Sequence, residues 1–346
     1  MTRLGTAHPD RRTFRLVASS PSRRAIEGKK CQKDKENDMA DGAMKVLLAI
    51  DGSEPAGLAL GLVADIAWPV GTEIVVTEVV ETGAGLFGGP WPALAMVQVD
   101  QIEADLSEHA HRVVDQARDR LEQPGLDVKA VVLRGRPATA IADRARAMAA
   151  DLVVVGSRGH GTIESLLLGS VSAEVVDLAA APVLVARGRR TERIVLGWDG
   201  STCAARAADL LRTWPIFAGS RVRVVSVTDI EIPWWTGFPI EGSATMMPIY
   251  VDAASAARTR HEELAREMTA RLQDAGIVAE AECRDGDAAT EILAAANASK
   301  ADLIVMGTHG RTGLKRMVLG SVARNVVQHA TCSVLVVRDG LPSSAS

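Results

Sequence analysis

The chain has 346 residues, of which 47% are hydrophobic and 24% charged, with a formal net charge of −4. This length allows two ordinary domains, each with its own core. The composition is typical of a globular protein. The sequence has no run of the roughly 18 to 20 apolar residues that a membrane span needs. The slightly acidic balance argues against a nucleic-acid-binding protein, whose charge is usually strongly basic.

The first 43 residues differ in composition from the rest. They hold ten Lys and Arg against six Asp and Glu, few apolar residues and no periodicity, which predicts a disordered basic tail. Two alternatives remain open: a basic arm that binds nucleic acid or a membrane surface, and a translation start at Met44, where "MKVLLAIDGS" begins as a natural first strand.

From Met44 onward, short Val/Ile/Leu-rich runs alternate with longer helical patterns. A first strand precedes Asp51, and the helix that follows has Ser53 as its expected N-cap and ends before Trp68-Pro69. A second strand covers 72–80. A longer helix is predicted over 100–123, with one apolar side formed by Ile102, Leu106, Val113 and Ala117.

The chain then repeats itself. "KVLLAIDGS" returns as "RIVLGWDGS", "VVVGSRGHGTIESLLLGS" as "IVMGTHGRTGLKRMVLGS", and "APVLVAR" as "CSVLVVR". Such self-similarity indicates a duplicated domain. We therefore predict a tail over 1–43, domains over 44–187 and 192–338, a linker over 188–191 and a C-terminal tail over 339–346.

Within each copy, the strand runs lack polar alternation, which is typical of parallel strands covered on both faces. The order β-α-β-α-β-α-β-α-β predicts two tandem doubly wound α/β domains. In such sheets, ligands bind beyond the carboxyl ends of the strands, where the winding reverses.

Two features mark that edge in each copy. An aspartate, Asp51 or Asp199, follows the first strand, and a Gly-x2-Gly-x9-Gly-Ser pattern follows the fourth. We expect these glycines to adopt positive φ and to admit a ligand close to the backbone. Gly169-Ser170 and Gly320-Ser321 should begin the last helix, whose amides favour an anion. Glycines that only cap helices and turn loops are the alternative interpretation.

These motifs resemble those of the universal stress protein family, of the ATP-binding kind, and the arrangement is similar to its tandem members in actinobacteria. The resemblance covers about residues 44–338 and implies a five-stranded parallel sheet of order 3-2-1-4-5 in each domain. It implies an ATP site in each domain, with Mg²⁺ bound through the phosphates. The implied site residues are Asp51, Val79, Val155, Gly156, Gly159, Gly169, Ser170 and Val171 in the first domain, and Asp199, Val227, Met306, Gly307, Gly310, Gly320, Ser321 and Val322 in the second.

The resemblance also implies a mode of association. Family domains pair edge to edge through the final strand, which corresponds here to 183–185 and 334–337, so we expect the two halves to pair within one chain. The aromatic-rich loops after the second strands indicate a lid or a surface for an unknown protein partner, and Trp234-Trp235 is a candidate homodimer contact.

The expected function is ATP-dependent regulation of the stress response, in which occupancy modulates partner contacts. Walker A, HxGH, SGGxDS and dinucleotide-binding motifs are absent from the sequence, and we predict no catalytic residues. A slow ATPase and an interaction scaffold with vestigial sites remain the alternatives. The four cysteines lie far apart, which predicts free thiols and a cytoplasmic protein.

Overall fold

The structure, a computed structural model, describes residues 42–81, 96–158, 168–229, 243–310 and 319–338, with side chains omitted for 96–102 and 243–250. Almost all of the predicted basic tail and the predicted C-terminal tail lie outside these residues. The aromatic segments 82–95 and 230–242, which include Trp234 and Trp235, lie outside them as well.

The described residues contain one sheet of ten strands. The strands of the first half are β1 (Lys45–Ala49), β2 (Thr72–Val80), β3 (Leu126–Arg134), β4 (Leu152–Gly156) and β5 (Val183–Ala186). Those of the second half are β6 (Arg193–Gly197), β7 (Arg221–Thr228), β8 (Val278–Asp285), β9 (Leu303–Gly307) and β10 (Ser333–Val337). The sheet order is β3-β2-β1-β4-β5-β10-β9-β6-β7-β8, which is compatible with the predicted order in each half.

The helices of the first half are α1 (Glu54–Asp65), α2 (Met96–Leu121), α3 (Pro137–Ala147) and α4 (Ser170–Leu178). Those of the second half are α5 (Thr202–Thr213), α6 (Ser243–Asp274), α7 (Ala288–Ser299) and α8 (Ser321–His329). Ser53 caps α1 as predicted, its side chain accepting from the amide of Ala56. Gly169 and Gly320 are the N-caps of α4 and α8, which confirms where the last helix of each half begins.

The predicted apolar side of helix α2 is confirmed in part, because Ala117 is buried and Val113 packs against the core. Leu106 is 39% exposed, and the side chain of Ile102 lies outside the described ones. Among the described side chains, the fully buried ones also include Ala110, Val114 and Leu121. The first described turns of this helix carry mostly exposed side chains, so that packing against β2 and β3 begins only at Ala110. An apolar pattern alone did not reveal where along the helix that contact starts.

Side chains of the strands pack alternately into two core layers. Val46 and Leu48 join α1, α2, α5 and α6 on one side of the sheet, whereas Leu47 and Ala49 join α3, α4, α7 and α8 on the other. The central strands are therefore buried on both faces, as their unbroken apolar runs predict. None of the helices within the described residues is both long enough and apolar enough to cross a membrane.

The two halves meet through their last strands. β5 and β10 pair antiparallel, with Val334 opposite Val185, Leu335 opposite Leu184 and Val336 opposite Val183. This confirms the predicted edge-to-edge pairing within one chain, and it joins the two predicted five-stranded sheets into one. Each otherwise open edge thereby gains ladder hydrogen bonds.

Candidate functional site

Each half has a cavity at the carboxyl edge of its central strands. β1 is parallel to β4, and β6 is parallel to β9. The segment after the first strand therefore lies beside the end of the fourth, as the strand order implied by the family resemblance predicts. The cavities measure about 360 Å³ in the first half and about 390 Å³ in the second, within the range of roughly 300 to 1,000 Å³ usual for small-molecule sites.

The predicted site residues gather around these cavities. Asp51, Val79, Val155, Gly156, Gly169, Ser170 and Val171 line the first. Asp199, Val227, Met306, Gly307, Gly310, Gly320, Ser321 and Val322 line the second. Gly159 lies outside the described residues.

The Asp-Gly-Ser segments fix the aspartates at the cavity mouths. Oδ1 of Asp51 accepts from the amide of Ser53 at 3.1 Å, and Oδ1 of Asp199 accepts from the amide of Ser201 at 3.0 Å. The glycine between them is left-handed in both halves, with φ of 75° and 76°, which only glycine adopts at little cost. The carboxylates are therefore held in place by the first helix of each half.

The two capping serines connect the aspartate loop to the glycine loop. The hydroxyl of Ser53 donates to the carbonyl of Arg158 at 3.5 Å, and that of Ser201 donates to the carbonyl of His309 at 3.2 Å. In both halves, the same hydrogen bond thus joins the serine side chain to the backbone of the glycine loop.

The motif glycines act differently from the prediction. Of the five described ones, Gly156, Gly169, Gly307, Gly310 and Gly320, none has positive φ, so that part of the prediction is wrong. A Cβ on Gly156 would lie 2.8 Å from the carbonyl carbon of Pro55, and one on Gly307 would lie 2.5 Å from Cβ of Cys203. These two glycines allow the first helix to pack closely on the fourth strand.

Gly310 and Gly320 lie farther along the second loop. A Cβ on Gly310 would lie 2.9 Å from Oδ2 of Asp199, and one on Gly320 would lie 2.8 Å from the carbonyl oxygen of Thr308. Among the described motif glycines, Gly310 is the one whose missing side chain leaves space directly beside the Asp199 carboxylate, a predicted site residue.

The last helix of each half points its N-terminus at the cavity. The amide of Gly169 donates to the carbonyl of Ser157 at 2.7 Å, and the amide of Gly320 donates to that of Thr308 at 2.9 Å. The amides of the first turn that follows have no acceptor within their own helix, and together with the helix dipole they favour an anion at this position.

Several cavity residues were missed by the sequence prediction. Thr77, Glu81, Arg158 and Ser172 line the first cavity, and Trp198, Thr308 and His309 line the second. Arg158 and His309 occupy equivalent positions between the motif glycines. The duplication therefore offered a signal for them, although their differing chemistry concealed it.

The halves also differ in how the glycine loop is fixed. In the first, the Ser172 hydroxyl donates to the carbonyl of Gly156 at 2.7 Å. In the second, Sγ of Cys203 lies 3.8 Å from Oγ1 of Thr308, which lies 3.0 Å from Nδ1 of His309. An arginine thus lies at the first cavity and a hydrogen-bonded histidine at the second.

Comparison with known proteins identifies the family. The profile of the universal stress protein family matches residues 43–187 and again 190–338. The chain therefore belongs to the universal stress protein family, a family of stress-related proteins, and carries two of its domains in tandem.

Curated relatives match either one half or most of the chain. A universal stress protein of Methanocaldococcus jannaschii is 33% identical over 147 residues, covering 42% of this chain and 82% of the relative. One of Mycolicibacterium smegmatis is 28% identical over 256 residues, covering 72% of this chain and 81% of the relative. One of Mycobacterium tuberculosis is 30% identical over 249 residues, covering 67% and 74% respectively.

Among solved structures, a universal stress protein from Archaeoglobus fulgidus matches 85% of this chain and 98% of its own length, with a TM-score of 0.59 and 21% sequence identity. At that identity, the match supports the fold alone.

Proposed function

We propose that each half binds one ATP molecule and that nucleotide occupancy regulates the contacts of this protein with a partner. The observation that carries the proposal is the duplicated cavity. In both halves, an aspartate fixed by a helix N-cap, apolar strand ends and the start of the last helix surround one space large enough for a small molecule.

The chemistry of the cavity walls suits a nucleoside. Val79 and Val155 in the first half, and Val227 and Met306 in the second, offer apolar surface to a base. The carboxylates of Asp51 and Asp199 are hydrogen-bond acceptors for ribose hydroxyl groups. In the second half, Oδ2 of Asp199 faces the space that Gly310 leaves open.

The phosphates belong at the start of the last helix. Amides of the first turn and the hydroxyl of Ser170 or Ser321 are suitable donors. In the first half, Arg158 adds a cation. Within the described ranges, no three His, Cys, Asp or Glu side chains group as metal ligands. In this proposal, Mg²⁺ is held through the phosphates of the nucleotide, as is common for this ion.

Coupling to a partner rests on the segments 82–95 and 230–242, which follow β2 and β7. They contain aromatic residues that suit a binding surface, and their structure is outside the described residues. In this proposal, nucleotide occupancy alters partner contacts only to the extent that ATP binds one state of the protein more tightly than another.

The test is the number of ATP molecules bound per chain, measured by native mass spectrometry and by titration calorimetry. We expect two for the unaltered protein, one for Asp51→Ala and one for Asp199→Ala. Loss of a charged hydrogen-bond acceptor should weaken the altered site by about 10- to 100-fold.

The matched control is Asp143→Ala, because Asp143 is exposed and pairs with Arg146 of its own helix. It should keep two ATP molecules. Binding of two ATP molecules by the double variant Asp51→Ala/Asp199→Ala, or of none by the unaltered protein, would contradict the proposal.

A further inference from the structure

Two arginines cross the seam that β5 and β10 form between the halves, one in each direction. Arg187 follows β5, and its Nη2 donates to the carbonyl of Val327 at 2.5 Å. Arg338 follows β10, and its Nη2 donates to the carbonyls of Val176 at 2.8 Å and Asp177 at 2.5 Å. Each guanidinium thus binds carbonyls in the last turn of the other half's final helix.

Those two helices begin at the nucleotide cavities. Ser170 and Val171, in the first turn of α4, line the first cavity, and Ser321 and Val322, in the first turn of α8, line the second. A helix of nine residues is about 13 Å long. Each final helix therefore has a cavity at its N-terminus and an arginine of the opposite half at its C-terminus.

A cation at the C-terminus of a helix is favourable because the carbonyls there lack partners and carry partial negative charge. Removal of the guanidinium frees the last turn and removes a positive charge that supports the same dipole. Both effects act on the first-turn amides, whose placement decides how well they bind phosphate.

Both guanidinium groups are largely buried, and ionisable groups of both halves lie near them. Burial lowers the pKa of the Arg187 guanidinium to about 10, opposed by the Cys332 thiol and reinforced by the nearby Arg158 cation. Arg158 lines the first cavity. Arg187 thus binds the final helix of the second half while its charge acts on a cation of the first cavity.

Arg338 has the equivalent position in the second half. Burial lowers its pKa, opposed by Asp177 and by Cys203, whose thiol lies beside Thr308 of the second cavity. The end of α4 has a second contact across the seam: Nη2 of Arg324 in α8 donates to Oδ1 of Asp177 at 3.3 Å.

We infer that Arg187 and Arg338 are positioning residues, each for the half to which it does not belong. Arg338 holds α4 so that the first-turn amides of α4 bind the phosphates of the first nucleotide, and Arg187 does the same for α8 and the second nucleotide. This inference rests on the proposed function. The ATP affinity of the first site then depends partly on a residue of the second domain, and that of the second site on a residue of the first. The two sites are thereby linked through the seam.

The test measures ATP affinity in full-length variants that keep one working site. Asp199→Ala leaves the first site and Asp51→Ala leaves the second. In each background, Arg338→Gln and Arg187→Gln are compared by calorimetry. We expect Arg338→Gln to weaken the first site by about 3- to 10-fold and to leave the second unchanged, with the opposite result for Arg187→Gln.

Arg212→Gln is the matched control, because Arg212 is an exposed helix-end arginine that pairs with Asp209 of its own helix. It should change neither site. Arg338→Lys keeps the charge and part of the hydrogen bonding, so it should recover most of the first site's affinity. If Arg338→Gln does not fold, Arg187→Gln tests the same role at the second site.

The crossed pattern separates positioning from general loosening of the fold. Equal weakening at both sites, weakening only within the arginine's own domain, or unchanged affinity in all arginine variants would overturn the inference and leave the proposed function intact. Failure of the unaltered protein to bind ATP would overturn both.

Discussion

At the scale of single residues, the motif glycines divide into two kinds. Gly307 lies against the backbone of the first helix of its half, where a Cβ would meet Cβ of Cys203 at 2.5 Å and the amide nitrogen of Ala204 at 2.8 Å. Among the described residues, a Cβ on Gly310 would meet only the end of a side chain, Oδ2 of Asp199 at 2.9 Å. A methyl group can displace a carboxylate more easily than a helix backbone.

The two glycines should therefore respond differently to alanine. Gly307→Ala should lower the free energy of unfolding by about 1 to 3 kcal/mol, because overpacking forces α5 away from β9. Gly310→Ala should leave stability within about 0.5 kcal/mol and weaken ATP at the second site by moving the Asp199 carboxylate. Urea denaturation and ATP titration measure the two effects.

Gly188→Ala is the control for both variants, because no atom of the described residues lies within 4 Å of a Cβ at that position. The division would be wrong if Gly307→Ala were as stable as Gly188→Ala, or if Gly310→Ala bound ATP normally at the second site.

Residue identity at the site was only partly predictable from sequence. The repeated motif located Asp51, Asp199 and the glycines because their spacing recurs. It gave no warning that Gly156 and Gly307, which line the cavities, also lie against the first helix of each half, because that contact depends on the approach of two elements distant in the chain. Arg158 and His309 differ in chemistry, so the repeat did not single them out.

At the scale of elements, a carboxylate joins the first and fourth strands of each half at the edge opposite the cavity. Asp302 accepts from the amide of Arg193 at 3.0 Å and from its guanidinium at 2.8 Å. Asp151 accepts from the amide of Lys45 at 2.8 Å in the first half. These contacts help to hold β1 beside β4 and β6 beside β9.

Asp302 should make stability depend on pH in the acid range. The Arg193 side chain holds the pKa of this carboxyl below its ordinary value of about 4, with its backbone amide adding to the effect. Since the unfolded chain takes up the proton first, this contribution is complete above pH 4 and is lost as the pH falls through the folded pKa.

Asp302→Asn should therefore cost about 1 kcal/mol at pH 7 and less at pH 3. Urea denaturation at both pH values measures the difference from the unaltered protein. Asp143→Asn serves as the comparison, because its ion pair is exposed and such pairs contribute little. An equal cost at both pH values would argue against an ionic role for Asp302.

At the scale of the whole molecule, the seam makes one sheet from two domains. β5 has four residues, all buried, and β10 has five, also all buried. Arg189 of the connecting segment pairs with Asp65 of α1 through two contacts of 2.7 Å. The linker is therefore held to the first half, while the strands and the crossed arginines hold the halves together.

Cutting the linker should leave the halves associated. With a protease site inserted after Gly188, cleavage should give two fragments that elute together with the mass of the intact chain, because separation would expose two apolar edges. Leu335→Lys places a charge in the buried seam and should release the fragments after cleavage. Free fragments from the cleaved parent would contradict the strength assigned to the seam.

The fold was more predictable than the association of its parts. Unbroken apolar strands, cap residues and the repeat determined the elements and the two domains. The pairing of β5 with β10 followed only from the family resemblance, because a four-residue valine-rich strand is compatible with many neighbours. The crossed arginines were not foreseen, since their contacts join residues more than a hundred positions apart.

The antiparallel seam has one more consequence. The strands of the first half run parallel to β5, and those of the second half run parallel to β10, so their carboxyl ends lie on opposite edges of the sheet. The cavity mouths therefore open in opposite directions. One flat surface can therefore contact only one of the two cavities at a time.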